Sequence, residues 1–314
     1  MKTFYWLVKR EFWEHKGGFI TAPIVAGAIA FVLNAMLIAV GEAHTAMGNF
    51  HSNFSRAYED ADLVQAGAVI DGLLYGMTYL VLIVTAIVVF FYCLGALYDD
   101  RRDRSILFWK SLPLSDTDTV LSKVASAILV APAVAVVVGV VTGLMLAIMF
   151  AMVGTYHGIS IWPLLMQAHP LKVIVNLVLL IPLYAIWALP TVGWLMLCSA
   201  WARSKPFLWA IALPLGTGAV IAWMGLMGGV HGISSNYWHY VAGRLLGGLI
   251  PGGWLTEASS LAGLDTSNPA AALDKVNLAY HYSTLAQPSL WIGAIAGIAM
   301  IAGAIWFRRW RDES

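Results

Sequence analysis

GLLYGMTYLVLIVTAIVVFFYCLGAL, residues 72–97, runs without a single charge and leads straight into YDDRRDRSILFWKSLPLSD, residues 98–116. An apolar stretch of that length exceeds the ~20 residues a helix needs to cross a bilayer. Seven charges then crowd between Asp99 and Lys110, with Phe108, Trp109 and Leu112 flanking the last of them, ahead of the helix-stopping Pro113. A long uncharged run and a short, densely charged connection together predict a chain that passes repeatedly through a membrane.

The rest of the chain repeats the pattern. Of 314 residues, 60% are hydrophobic and 11% charged. Soluble domains carry about a quarter charged residues, so a water-soluble globule is excluded. A net charge of +1 without a basic tail gives no reason to expect nucleic acid. Six segments are predicted to span, near 19–41, 69–97, 120–153, 172–201, 207–230 and 288–308. The first is longer than a signal-peptide core and is read as a retained span. Cys93 and Cys198 fall in apolar segments without metal spacing, and are expected as free buried thiols.

Lysine and arginine set the predicted orientation. Fourteen of the 18 lie before the first span, between spans two and three, between four and five, or after the sixth. Only Arg56, Lys172, Arg244 and Lys275 fall on the other side. Both termini are therefore expected in the cytoplasm, and the protein in the inner (cytoplasmic) membrane as a multi-pass chain. The stretch FYWLVKREFWEHK (4–16) places Phe4, Tyr5, Val8 and Phe12 on one helical arc, with Glu11 and His15 intruding on it. That predicts an amphipathic interfacial helix over 1–18, or an ordinary membrane anchor. The outer insertion 231–287 contains VAGRLLGGLIPGGWL (241–255), apolar but too short to span and broken by glycines and Pro251. Such a segment is expected to be re-entrant or interfacial.

What the spans lack narrows the function. No Asp, Glu, Lys, Arg or His falls in the middle of any span, so a proton relay is not expected. The polar groups left for a substrate path include Asn34, Thr78, Thr85 and Asn176, joined by Tyr184 and Trp187 between Pro182 and Pro190. Those prolines form either a flexible wall or ordinary helix kinks. There is no phosphate loop and no metal motif. Seven of the eight histidines are assigned to the outer side with no ligand spacing, so no metal is expected. The chain is not expected to be an enzyme.

On a helix, Phe108, Trp109 and Leu112 share a face, which would press into the membrane or into a groove on a partner. At these residues the chain resembles the permease subunits of ABC-2-type transporters, whose membrane domain is similar to that of G-subfamily ABC exporters. Asp100-Arg101-Arg102-Asp103-Arg104-Ser105 resembles that family's charged motif, with Asp for Glu, Arg104 for glycine and Ser105 for threonine. Ile106 to Leu112 takes the place of its coupling helix, Leu112-Pro113-Leu114-Ser115 that of the following stretch, and Lys123 that of the lysine opening the third span.

The resemblance implies an all-α polytopic membrane protein with six transmembrane helices, a single permease domain over 1–314. The N-terminal interfacial helix, a cytoplasmic coupling helix and an extracytoplasmic re-entrant insertion complete it. It implies ATPase-coupling contacts from Asp99, Asp100, Arg101, Arg102, Asp103, Arg104, Ser105, Ile106, Phe108, Trp109, Lys110 and Leu112. It also implies ABC ATPase subunits at the cytoplasmic face, which carry ATP and Mg while this chain binds no cofactor. A second permease subunit, the same or different, completes the path. The expected function is export of an amphipathic or hydrophobic substrate such as an antibiotic, peptide, drug or lipid. The competing readings are a stand-alone channel or secondary carrier, and a membrane enzyme or regulatory assembly subunit.

Overall fold

The structure, a computed structural model, describes residues 2–45, 63–103, 114–156, 162–227, 233–256 and 277–310. Every regular element among them is helical. Six helical stretches are long and apolar enough to cross a membrane: Gly17–Val40, Gly67–Arg102, Asp116–Tyr156, Pro170–Trp201, Pro206–Leu226 and Pro288–Trp310. The chain is a multi-pass membrane protein, helical in all its described regular elements, and the spans expected from hydropathy fall where these helices lie. Of the insertion 231–287, residues 257–276 lie outside the described part.

Spans two, three, four and six form the packed body. The second runs along the third, and the fourth along the sixth and the second. Small residues allow the closest approach. A Cβ on Gly193 would stand 2.5 Å from the Gly297 carbonyl oxygen, and one on Gly297 would stand 2.5 Å from the Leu189 carbonyl carbon. In a bilayer, where apolar surface gains nothing by leaving lipid, such backbone contact is what holds helices together. Spans one and five bury little, and their exposed Leu33, Leu37, Trp223 and Met224 belong to an apolar outer surface.

Helix ends follow local chemistry. The third span starts where the Ser115 hydroxyl accepts the Asp118 amide at 2.9 Å, with Asp116 and Asp118 in the positive first turn. The fourth opens on Pro170 and runs unbroken through Pro182 and Pro190. In the fifth, Pro214 deprives the Ala210 carbonyl of its helical donor. The Trp194 indole N–H, from the fourth span, fills that place at 3.0 Å.

Three stretches among the described residues wind with i→i+5 bonding: Gly17–Thr21, where the N-terminal helix (Lys2–Glu14) passes into the first span, Ser126–Val130 in the third, and Tyr237–Ala242 in the outer insertion. The N-terminal helix buries Leu7 and Glu11, half-buries Val8 and Phe12, and exposes Phe4 and Tyr5. The apolar arc predicted from the sequence is thus turned, with Glu11 at its centre. The reason is a partner that the arc could not contain, Lys123 of the third span.

The insertion returns into the bundle. Ile233–Asn236, Tyr237–Ala242 and Gly243–Gly247 form consecutive helical turns, followed by a reversal and a short 3-10 turn, Gly253–Thr256. Gly252 sits in the reversal at φ 73°, a conformation that costs a side chain about 1–2 kcal/mol. The segment is anchored to the fourth span: the Thr191 hydroxyl donates to the Arg244 carbonyl at 2.6 Å, and the Tyr184 hydroxyl to the Leu249 carbonyl at 3.1 Å. Cys93 and Cys198 are buried and unbonded to one another.

Candidate functional site

Two places in the bundle carry chemistry. The first is a cluster of charges where the N-terminal helix meets the ends of spans two, three and six, here called the termini end. Glu11, with no exposed surface, takes Lys123 Nζ on both carboxylate oxygens at 3.2 Å. Arg10 reaches the same carboxylate at 2.5 Å, and the Tyr92 hydroxyl donates to it at 3.1 Å. Lys123 also lies 3.5 Å from Asp100. Asp100 in turn meets Arg308 at 3.2 Å, and Arg308 meets Asp116 at 3.1 Å. Lys123 and Arg308 are almost wholly buried.

Burial alone would raise the Glu11 carboxyl. The charges of Lys123, Arg10 and His15, with the Arg10 hydrogen bond, outweigh burial and hold it below its ordinary range. Three carboxylates, Glu11, Asp100 and Asp116, face three cations, Arg10, Lys123 and Arg308, so the cluster is balanced. Breaking such a buried set by removing one partner costs about 3–5 kcal/mol. Mechanically, it clamps four segments far apart in sequence.

The charged connection feeds this clamp. Arg101 Nη2 donates to the carbonyls of Ser199 and Ala202 at 2.6 and 3.0 Å. The Ser199 hydroxyl accepts the Leu97 and Tyr98 amides at 3.0 and 2.9 Å. Asp100 and Arg101 therefore tie the end of span two to spans three, four and six. Asp99, Arg102 and Asp103 stay exposed and pair among themselves. Arg104, Ser105, Ile106, Phe108, Trp109, Lys110 and Leu112, expected to touch an ATPase, lie outside the described residues.

The second place is an apolar cavity of about 430 Å³ between spans two, three and four and the returning segment. Tyr75, Tyr79, Pro132, Val136, Leu177 and Tyr184 form much of its wall, with Pro251, Trp254 and His281 closing it. Each polar side chain on the wall already has a protein partner. Tyr75 accepts from Asn176 at 3.0 Å, Tyr79 donates to the Pro251 carbonyl, Tyr184 to Leu249, and the Trp254 indole to His281 Nδ1 at 2.9 Å. That last bond needs a neutral imidazole at Nδ1, and burial pushes the His281 pKa down.

Of the residues expected along a substrate path, Tyr184 lines this cavity and Asn176 stands behind Tyr75. Thr78 and Thr85 are buried and donate to carbonyls of their own helix, as Asn34 does on the first span. Trp187 carries the Arg244 guanidinium 3.7 Å above its ring. Arg244 was counted with the outer loops, but the returning segment brings it, 6% exposed, against the fourth and sixth spans. The available signal was a lone arginine within an otherwise apolar run of 15 residues. Glu11, Asp116 and Arg308 were likewise missed as a set, because pairs separated by 112 and 192 residues leave no spacing pattern.

Glu11, Glu14 and His15 form the one group among the described residues with ligand atoms close enough for a metal ion. Glu11 is already held by Lys123 and Arg10, so the set suits an internal salt bridge better than a cation. Fold and sites together define a class: a six-span helical membrane protein with a charge clamp at one end and an apolar cavity nearer the other. Comparisons with protein-family models, with curated proteins and with solved structures returned no match for this chain.

Proposed function

We propose that this chain is the membrane-spanning permease subunit of an ATP-driven exporter, worked from the cytoplasm by a separate ATPase. One observation carries the reading. Asp100 of the charged motif and Lys123 of the third span, two residues on which the resemblance to ABC-2-type permeases rests, meet in one buried cluster. The same cluster holds Glu11 of the N-terminal helix and Arg308 of the sixth span. A force applied to the connection 104–113 is passed through Asp100 and Arg101 to spans three, four and six at once, which is what a subunit without its own nucleotide site requires.

In this reading the termini end faces the cytoplasm of a cell's inner membrane, as the excess of lysine and arginine favours. Two such permeases enclose the path, and an amphipathic or hydrophobic substrate crosses without meeting ionisable residues in the middle of the spans. ATP and Mg belong to the partner.

The test is purification of the chain from its native membrane in mild detergent, followed by identification of what accompanies it. An ATP-hydrolysing subunit is expected. Changing Phe108 and Trp109 together to Ala should abolish ATP-dependent export while leaving insertion intact. A transport-competent preparation without any nucleotide hydrolase refutes the proposal.

A further inference from the structure

The cavity in the bundle has the wrong chemistry for a polar ligand and the right depth for a lipid tail. Its five polar wall residues, Tyr75, Tyr79, Tyr184, Trp254 and His281, are already hydrogen-bonded within the protein. A polar guest would find few partners beyond the Tyr75 hydroxyl hydrogen and His281 Nε2 to replace the water it gives up. An alkyl chain asks for none. The size agrees as well: an engineered apolar cavity of ~150 Å³ accepts benzene's six carbons, so about 430 Å³ holds on the order of a dozen or more.

Depth selects the source of that chain. At the end of the bundle opposite the termini, Asp71 accepts the His169 amide at 2.9 Å and marks a polar boundary. Along the second span the cavity wall runs from Tyr75 to Leu82, four to eleven residues further in, or roughly 6–17 Å at ~1.5 Å per residue. The hydrocarbon of one leaflet is about 15 Å deep, half of ~30 Å. The rim is open to that zone, since Gly76 and Tyr79 are exposed, as are Leu80 and Ile83 beside them on the apolar outer surface.

We propose that this cavity is a binding site for one acyl chain of a bilayer phospholipid, taken from the leaflet at the end opposite the termini. The headgroup stays at the level of Asp71 and His169, and the tail passes the rim at Gly76 to lie against Val136 and Leu177. The bound lipid then fills the space beneath the returning segment, Pro251 to Leu255, which Tyr79 of span two and Tyr184 of span four hold in place. The inference is independent of the exporter reading and holds whatever the chain transports.

Gly76 supplies the test. Gly76 lies on the cavity wall and a Cβ there meets nothing within 4 Å, so Gly76→Phe grows its side chain from open space at the mouth. Gly72, one turn away and off the cavity wall, is equally open, and Gly72→Phe is the control. The full chain is placed in nanodiscs of phosphatidylcholine carrying a diazirine midway along one acyl chain, irradiated, and the labelled residues mapped by mass spectrometry. Wild type and Gly72→Phe should be labelled inside the cavity, at Pro132, Val136 and Leu177. In Gly76→Phe that labelling should fall about tenfold, the equivalent of about two buried methylenes of lost contact, while labelling of lipid-facing Leu80 and Ile83 persists. Wild type labelled only on the outer surface overturns the proposal, whether the cavity is then empty or covered by a second copy of the chain. So does undiminished interior labelling in Gly76→Phe. A free diazirine fatty acid that labels the interior where the phospholipid does not also overturns it, in favour of a single-chain amphiphile.

Discussion

Replacing Lys123 by Met removes the central cation of the clamp at nearly constant volume. Glu11 loses two contacts of 3.2 Å and Asp100 loses one of 3.5 Å. Both keep another partner, Arg10 at 2.5 Å and Arg308 at 3.2 Å, so the loss falls at the lower end of the ~3–5 kcal/mol range for a broken buried pair. About 3 kcal/mol at ~2–3 °C each lowers the Tm in mild detergent by about 6–9 °C. Glu11→Gln alone should cost a similar amount, because it leaves buried Lys123 with Asp100 at 3.5 Å as its remaining carboxylate. The double variant Glu11→Gln with Lys123→Met should recover much of the loss, since neither side then leaves an uncompensated charge, and the coupling should exceed about 1.5 kcal/mol. Acid should reach the same state in the wild type. Glu11 titrates lower in the fold than in the unfolded chain, so its contribution is complete above the ordinary carboxylate range and disappears as pH falls through the lowered value. If Lys123→Met shifts the Tm by under about 2 °C, or the single losses simply add, the clamp does not hold these segments together.

Gly297→Leu should prevent the fourth and sixth spans from packing, since even a Cβ stands 2.5 Å from the Leu189 backbone; loss of the monodisperse folded fraction in detergent is the readout. Gly252→Ala combines a φ of 73° with a Cβ 3.1 Å from the Tyr79 hydroxyl, and should destabilise by about 1–2 kcal/mol, read as a lower Tm. His281 is held neutral by burial, so the unfolded chain takes up its proton first and stability falls as pH drops from the ordinary histidine range through the lowered value. The Tm should therefore decline on acidification, and His281→Gln, which can still accept from Trp254, should flatten that decline.

The spans were legible because hydropathy is a local property, summed over neighbours in the chain. The charge clamp and the cavity were not, because they are made between elements. Glu11 reads as an intrusion on an apolar arc until Lys123 is brought beside it. Arg244 reads as an outer-loop cation until the segment bearing it turns back against Trp187. The Asp100 and Lys123 positions were singled out through resemblance, but that they touch is a fact of packing alone. Tyr79 gave no signal of its own, since its role depends on a carbonyl 172 residues away.

The winding at Ser126–Val130 bears on how this protein tolerates change in length. An α-helical residue advances the chain by about 100°, and a π stretch accommodates one surplus residue within an otherwise regular helix. Deleting one residue there would leave the third span long enough for the bilayer. It would also let that stretch rewind as regular α-helix with Lys123 still in phase with the lipid-embedded portion, whereas the same deletion within Ala131–Tyr156 would swing Lys123 by about 100°, away from Glu11 and Asp100. The surplus residue is thus slack between two helical surfaces, one keyed to charge and the other to the membrane.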